Sequence, residues 1–188
     1  MSDERGRILL RVARAAITSR FGRGPRNDET EPWLEEPGAC FVTLTINNVL
    51  RGCVGSLAPY RSLRDDVWQN AQSAAFHDPR FLPLSDQELA KVRVEVSLLS
   101  PIVPLQFCDE SDAVAQIRPG MDGVVLEYGR NRGTFLPQVW EQLPTPREFF
   151  RHLKIKAGLP SDFWADGVLV SRYSVEKFSE AESAGDRE

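Results

Sequence analysis

The sequence predicts an α+β fold, in which a largely antiparallel sheet is flanked by helices. Its 188 residues, of which 41% are hydrophobic, suffice for one good-sized domain or for two small ones that share a core. Predicted strands and helices are interspersed along the chain, and several consecutive strands are separated only by short turns. Because short turns join antiparallel strands, this pattern favours an α+β fold over a doubly wound parallel sheet.

The N-terminal segment predicts an amphipathic helix over residues 3 to 21. Ile8, Val12 and Ala16 recur at four-residue spacing and form an apolar stripe, which we expect to pack on the domain. Residues 22 to 38 are interrupted by glycine and proline and carry clustered acids, so they predict a loop.

A hairpin is predicted over residues 39 to 55, followed by a helix over residues 62 to 76. The hairpin strands are CFVTLTI and VLRGCVG, and Asn47-Asn48 forms the turn because asparagine tolerates the positive φ that a tight turn needs. Ser62 is a suitable N-cap for the helix.

The middle of the chain predicts two short helices and one strand. Ser85 and Glu88 have the spacing of a capping box, which marks the start of the first helix. Residues 91 to 101 alternate between apolar and polar side chains and predict a strand. The second short helix is predicted over residues 111 to 117.

The C-terminal part predicts a second hairpin, a well-capped helix, a last strand and a tail. The hairpin consists of GVVLEYG and GTFLP around Arg130-Asn131-Arg132. The helix in TPREFFRHLKIKAGLP has an N-cap, a first-turn proline, a capping box and a terminal glycine. Thr145 is the N-cap, Pro146 is the first-turn proline, Glu148 completes the capping box, and Gly158 is the terminal glycine. A last strand is predicted over residues 167 to 178, and residues 182 to 188 are expected to be a disordered tail.

Composition and charge exclude several classes of protein. The net charge of -4 argues against a general nucleic-acid binder, which would carry a basic stripe. No apolar run is long enough for a membrane span, and the arginine-rich N-terminus does not resemble a secretory signal. The three cysteines include no C-x-x-C pair, so neither a disulfide framework nor a metal site is indicated. We therefore expect a cytoplasmic protein, and no cofactor is indicated.

The segment LRGCVGS, residues 50 to 56, combines strand formers with an arginine and a cysteine. Residues two apart on a strand share a face, so Arg51 and Cys53 are expected to point the same way. With a two-residue turn, Arg51 pairs with Leu44 and Cys53 pairs with Val42. Since those partners are apolar, we predict that Cys53 faces the core and behaves as a small hydrophobic residue.

Two alternatives remain open for this segment. A one-residue bulge at Gly52 would reverse the face of Cys53. A nearby cation such as Arg51 would lower the pKa of the Cys53 thiol and favour a reactive thiolate. Gly52 and Gly55 indicate that another element or a ligand approaches closely here.

A second candidate feature is the turn Asp78-Pro79-Arg80-Phe81. Asp78 can shape the turn through a local hydrogen bond, and Arg80 can pair with Asp78 or present its guanidinium to an anion. Arg51 and Arg80 together would bind a phosphate or carboxylate if the fold brings them close. His77 could serve Cys53 as a base, although capping the preceding helix is the better interpretation.

These considerations give Cys53 as the candidate catalytic residue. Glu95, on the non-core side of its strand, and Tyr173, whose direction the alternation leaves open, are weaker candidates. The candidate ligand-binding residues are Arg51, Gly52, Gly55, Ser56, Asp78 and Arg80.

Several segments, in the right order, resemble one family. LRGCVGS resembles the L-R-G-C-I-G signature of the AMMECR-type domain. AAFHDPRFLPLSDQEL, VEVSLLSP, GMDGVVLEYGRNRGTFLPQVW and SRYSVEKFSE are similar to its other motifs. The resemblance runs from about residue 8 to residue 181. It is greatest to the bacterial and archaeal branch, AmmeMemoRadiSam system protein A.

The resemblance implies a single domain over residues 1 to 181, made of a larger and a smaller subdomain that are intertwined and packed together. It also implies association with a Memo-like protein and a radical SAM protein, but no defined reaction. We therefore expect an accessory or ligand-binding component that holds a partner or a small anionic ligand. The alternative is a thiol-dependent enzyme that uses Cys53 as a nucleophile or redox centre.

Overall fold

The structure is a computed structural model, and it describes residues 2–23 and 29–181. Residues 24–28 of the predicted loop and the predicted tail over 182–188 lie outside the described residues.

Helices occur in the described residues at most of the predicted places. Two short 3-10 helices were not predicted; they span Pro32–Leu34 and Pro137–Glu141. The α-helices are α1 (Ser2–Ser19), α2 (Leu63–Phe76), α3 (Asp86–Leu89), α4 (Glu110–Ala115) and α5 (Pro146–Lys156).

The strands include the two predicted hairpins. They are β1 (Pro37–Gly38), β2 (Cys40–Ile46), β3 (Val49–Gly55), β4 (Arg61–Ser62), β5 (Arg93–Leu99), β6 (Val103–Pro104), β7 (Gly123–Tyr128), β8 (Asn131–Phe135), β9 (Leu169–Tyr173) and β10 (Val175–Ser179). All the pairings for which a register is resolved are antiparallel, which confirms the predicted α+β fold with antiparallel sheets and flanking helices.

The chain divides into two compact units. The first unit contains the residues up to Leu99 and those from Glu176 onward, and the second unit runs from Ser100 to Val175. Within the described ranges, each unit has a four-stranded sheet, with strand order β10-β5-β2-β3 in the first and β6-β9-β7-β8 in the second.

The core of the first unit lies between one face of its sheet and helices α1 and α2. Strands β2 and β5 turn alternate side chains toward these helices, among them the fully buried Val42, Leu44 and Val96. The predicted apolar stripe of α1 is buried against them, as Val12 and Ala16 show. Burial of each large aliphatic side chain contributes roughly 1.5–3 kcal/mol, so this face fixes the orientation of the sheet.

The core of the second unit packs α5 and Trp140 against the sheet. The rings of Trp140 and Phe149 are stacked with centroids 3.9 Å apart, and Phe150 and Leu153 are buried beside them. Aromatic stacking of this kind adds to the free energy of burial and fixes the position of α5.

The predicted helix ends are confirmed. Thr145 accepts a hydrogen bond from the Glu148 backbone N–H at 3.4 Å and starts α5, and Gly158 follows its last turn with φ +83°. Ser62 caps α2, and its side chain accepts a bond from the Asp65 N–H at 3.2 Å.

Two local predictions are wrong. The single strand expected over residues 167 to 178 is two strands, because the chain leaves β9 and joins the first unit's sheet as β10. In the second hairpin, Tyr128 pairs with Asn131, so the turn consists of Gly129 and Arg130 instead of Arg130-Asn131-Arg132. Gly129 has φ +59°, which a glycine adopts without strain.

Among the helices described, none is long and apolar enough to cross a membrane.

Candidate functional site

The register of LRGCVGS differs from the prediction by one residue. The turn at Asn47 and Asn48 has two positive φ angles, as expected, but a bulge follows it. Thr45 pairs with Leu50 and Leu44 pairs with Gly52, which leaves Arg51 without a partner on β2. The extra residue reverses the alternation of side chains beyond it.

The bulge corrects the predicted position of Cys53. Cys53 pairs with Thr43 instead of Val42, and its side chain is half-buried on the face of the sheet that points away from α1 and α2. Gly52, opposite Leu44, takes the place on the core face. The prediction that Cys53 faces the core is therefore wrong, and the bulge is the reason.

Packing explains why residues 52 and 55 are glycines. A Cβ at Gly52 would lie 2.1 Å from the carbonyl oxygen of Ala74, because α2 passes directly over β3. A Cβ at Gly55 would lie 2.2 Å from the ring of Phe41. Both glycines thus permit close approach of other parts of the first unit.

The thiol of Cys53 lies within hydrogen-bonding distance of the Thr43 hydroxyl, with Sγ and Oγ1 3.3 Å apart. Thr43 also lines a cavity of about 220 Å³ on the outer face of the sheet. Glu95 lines the same cavity and accepts a bond from the Ser179 hydroxyl at 2.9 Å. The thiol therefore contacts a residue that lines a small polar cavity.

Asp78 and Arg80 hold the backbone of Cys53 at the open edge of β3. Asp78 Oδ2 accepts the Cys53 N–H at 2.9 Å, and Arg80 Nη2 donates to the Cys53 carbonyl at 3.3 Å. Asp78 is buried and pairs with Arg80, with Nη2 and Oδ2 2.7 Å apart. The Arg80 guanidinium, together with the Cys53 N–H, holds the pKa of Asp78 well below its usual range.

Arg51 is held by Glu88. Arg51 donates to both oxygens of Glu88, at 2.7 and 3.1 Å, and to the Leu82 carbonyl at 2.9 Å. Glu88 also accepts the backbone N–H of Ser85, which completes the predicted capping box. The Arg51 guanidinium lowers the pKa of Glu88 from 4.5 to about 2, with the Ser85 N–H as the second cause.

Arg51 and Arg80 meet at the ring of Phe81. Their guanidinium carbons lie 5.8 and 5.4 Å from its centroid, within the range of cation–π attraction. Each guanidinium is already paired with a carboxylate, so the two charges are largely compensated. Arg80 keeps an exposed edge, because its side chain is 53% exposed.

Exposed apolar side chains adjoin this pair of arginines. Leu82, whose carbonyl binds Arg51, is 84% exposed, and Leu50, which precedes Arg51, is 40% exposed. These side chains and their partners form the β3-edge surface, which consists of Leu50, Arg51, Arg80, Phe81, Leu82 and Glu88.

Ser56 belongs to a separate polar network. Its hydroxyl donates to Asp66 at 2.6 Å, and Asp66 also accepts the Cys40 N–H and the Arg61 Nε–H at 2.8 and 2.9 Å. Asp66 is 1% exposed, and Asn70 Nδ2 donates to it at 3.0 Å. This arrangement gives Ser56 a structural role in joining β3 to α2.

The weaker candidates do not join the β3-edge surface. His77 is exposed at the end of α2, and in the described residues no hydrogen bond links it to Cys53. Tyr173 is buried in the second unit, where its hydroxyl donates to the Phe135 carbonyl at 3.1 Å, and burial raises the pKa of this phenol.

Sequence reasoning missed the partners of the site. The sequence predicts Glu88 only as part of a helix cap, and it indicates no separate role for Asp66 or Phe81. Arg51 and Glu88 are 37 residues apart, so no local pattern connects them. The one available signal was the capping-box spacing, which placed Glu88 at a helix start but not beside β3.

Comparisons with known proteins agree with this fold. A family model described as AMMECR1 matches residues 10–178. Protein MJ0810 of Methanocaldococcus jannaschii is 36% identical over 192 residues, which cover 97% of this chain and 94% of that protein. A protein of Thermococcus onnurineus is 38% identical over 194 residues, covering 96% of this chain and 92% of its own. The crystal structure of the uncharacterized protein PH0010 from Pyrococcus horikoshii matches with a TM-score of 0.78 and 35% identity, over 95% of this chain and 92% of that one.

Proposed function

Because the chain belongs to the AMMECR1 family, we propose that it is a cytoplasmic accessory protein that binds a partner through the β3-edge surface. The proposed partner is a Memo-like protein or a radical SAM protein, as the sequence resemblance implies. In this account the partner carries the chemistry, and this protein positions or regulates it.

One observation carries the proposal: Leu82 is exposed directly beside an arginine that is held in place. Arg51 is fixed by two bonds to Glu88 and one to the Leu82 carbonyl, so little conformational entropy is lost when a partner contacts it. Arginine and aromatic side chains, such as Arg51 and Phe81, are enriched at protein interfaces, and an exposed leucine beside them adds apolar area that a partner can bury.

The exposed edge of Arg80 gives this surface a preference for an acidic group. Asp78 accepts bonds from Nε and Nη2 of Arg80, and the Cys53 carbonyl accepts a second bond from Nη2. Nη1 is the group that remains for a ligand, on a side chain that is 53% exposed. A carboxylate of the partner, or a small anionic ligand, would bind there. The anion site that the sequence predicts at Arg51 and Arg80 together is therefore proposed at Arg80 alone.

The test is binding of the purified Memo-like and radical SAM proteins from the same organism to the full chain. Leu82→Asp should weaken the complex by about tenfold or more, because it places a charge in the apolar contact. Tyr60→Asp is the matched control, because Tyr60 is 85% exposed in the same unit and lies outside the β3-edge surface. Equal affinity of the two variants, or the absence of binding by the unmodified protein, would contradict the proposal.

The orientation of Cys53 favours a second candidate function, a thiol-dependent enzyme. The bulge turns the thiol away from the core and toward Thr43, which lines the outer cavity. In this candidate Cys53 is the nucleophile or redox centre, and the Thr43 hydroxyl stabilises the thiolate by donating to it.

The two candidates differ in the pH dependence of Cys53 alkylation. An activated nucleophile would react in the native protein with a midpoint well below the ordinary thiol pKa of about 8.5. Cys108 is exposed and serves as an internal reference. Parallel profiles for the two cysteines would reject the thiol enzyme and leave the accessory role.

A further inference from the structure

The second unit contains a cavity of about 730 Å³ beside helix α5, which the proposed function does not use. Its volume is within the range of small-molecule sites, roughly 300–1,000 Å³. The lining residues are Glu110, Arg147, Glu148, Arg151, Lys154, Ser161 and Asp162.

Three cationic side chains line this cavity from one stripe of α5. Arg147, Arg151 and Lys154 are separated by four and three residues, a spacing that places them above one another on a helix. Phe150 and Leu153 are buried in the core of the unit. The cations therefore face the cavity while the neighbouring apolar side chains fix the helix.

Arg147 and Arg151 are exposed, and neither makes an ion pair or hydrogen bond within residues 2–23 and 29–181. Elsewhere on this chain arginines such as Arg51, Arg80 and Arg118 are paired with carboxylates. Two unpaired guanidinium groups over one cavity leave most of their donors available to a ligand.

Lys154 brings a buried charge to the floor of the same cavity. Its side chain is 2% exposed, and Nζ donates to Glu110 Oε1 at 2.5 Å and lies 5.6 Å from the Trp164 centroid. An ammonium group has three N–H donors, and Glu110 accepts one of them. A buried cation with unused donors is stabilised by an acceptor placed in the cavity.

We propose that this cavity binds a small molecule through a phosphate group, which Arg147, Arg151 and Lys154 hold. Two planar guanidinium groups and one ammonium match the several oxygens of a phosphate better than the two oxygens of a carboxylate. The Ser161 hydroxyl is a further donor at the cavity wall. Glu110, Glu148 and Asp162 also line the cavity, so its cations are not part of a continuous basic surface. A small phosphorylated molecule therefore fits the site better than an extended polyanion such as nucleic acid.

The test is calorimetric titration of the full-length protein with inorganic phosphate at constant ionic strength, with acetate as the carboxylate comparison. Saturable phosphate binding in the millimolar range or tighter is expected, and Arg147→Ala and Arg151→Ala should each weaken it by about tenfold. Arg130→Ala removes an equal charge from an exposed turn of the same unit and should leave the affinity unchanged. Because neither α5 arginine has an ion-pair or hydrogen-bond partner among the described residues, these variants should fold normally.

Three outcomes would overturn the proposal. They are the absence of saturable binding, equal affinity of Arg151→Ala and Arg130→Ala, and acetate binding as tight as phosphate binding. Arg80→Ala separates this site from the β3-edge surface. Loss of phosphate binding in Arg80→Ala, with binding retained in Arg151→Ala, would place the anion at the β3-edge surface and reject the α5 cavity. The proposed function would still stand in that case, because the partner-binding experiment tests it independently of the phosphate titration.

Discussion

Asp78 closes the open edge of β3 by accepting the backbone N–H of Cys53 at 2.9 Å. The two residues are 25 positions apart, yet this bond and the Arg80 bond to the Cys53 carbonyl satisfy both backbone groups of Cys53. An edge strand otherwise presents unpaired donors and acceptors. The turn after α2, which contains Asp78 and Arg80, therefore fixes the position of LRGCVGS.

Asp78→Ala is expected to lower the free energy of unfolding by about 2–4 kcal/mol. The variant leaves the Cys53 N–H without its acceptor and Arg80 without its carboxylate, and loss of buried partners is among the costliest substitutions. Urea denaturation measures the effect. Asp86→Ala, which removes an exposed partner of Arg23, is the control and should change stability by less than about 0.5 kcal/mol. Similar losses in both variants would show that Asp78 is not a structural anchor.

Stability should depend on pH through Glu88. Its folded-state pKa is about 2, below the ordinary 4.5, so the ionised carboxylate stabilises the folded protein at pH values above about 4.5. That stabilisation is lost as the pH falls toward 2. The stability difference between the unmodified protein and Glu88→Gln should therefore be largest near neutral pH and shrink in acid.

Denaturant unfolding of both proteins over a series of pH values measures this difference. Asp78 titrates alike in both proteins and cancels from the comparison. A difference that stays constant from neutral pH down to pH 2 would show that the pairing of Arg51 with Glu88 does not depress the Glu88 pKa.

Gly52→Ala is expected to destabilise the protein by about 3 kcal/mol or more. The new Cβ would meet the Ala74 carbonyl oxygen, a backbone atom that can move only if α2 shifts. Gly167→Ala is a useful comparison, because its φ of +91° is strained for alanine but the space around it is open. The free energy of unfolding of the Gly167→Ala variant should fall by only about 1–2 kcal/mol. A tolerated Gly52→Ala, measured by thermal or urea unfolding, would contradict the register of β3.

Local signals in the sequence predicted the helix ends and the first hairpin turn. Thr145, Pro146 and Gly158 act on backbone groups within one turn of themselves, so their effect can be read without the rest of the fold. Asn47 and Asn48 likewise determine their turn through their own φ angles. The resemblance to the AMMECR-type motifs supplied the family.

The site was less predictable because its contacts are long-range. The bulge at Arg51 depends on α2 passing over Gly52, and no neighbouring residue encodes that approach. A glycine within a strand was the only local sign of it. The pairing of Arg51 with Glu88 joins distant segments. The sequence therefore indicated Arg51 as an anion-binding residue, whereas the structure pairs it with a carboxylate of the chain itself.

The most direct test is alkylation of the three cysteines in the native protein, followed site by site with mass spectrometry. The register of LRGCVGS makes Cys53 half-buried on the outer face, whereas Cys40 is fully buried and Cys108 is exposed. We predict that Cys108 reacts first and Cys53 more slowly, both without denaturant, and that Cys40 reacts only on unfolding. Labelling of Cys53 only together with Cys40 would show that Cys53 faces the core, and it would contradict the bulge on which the proposed surface depends.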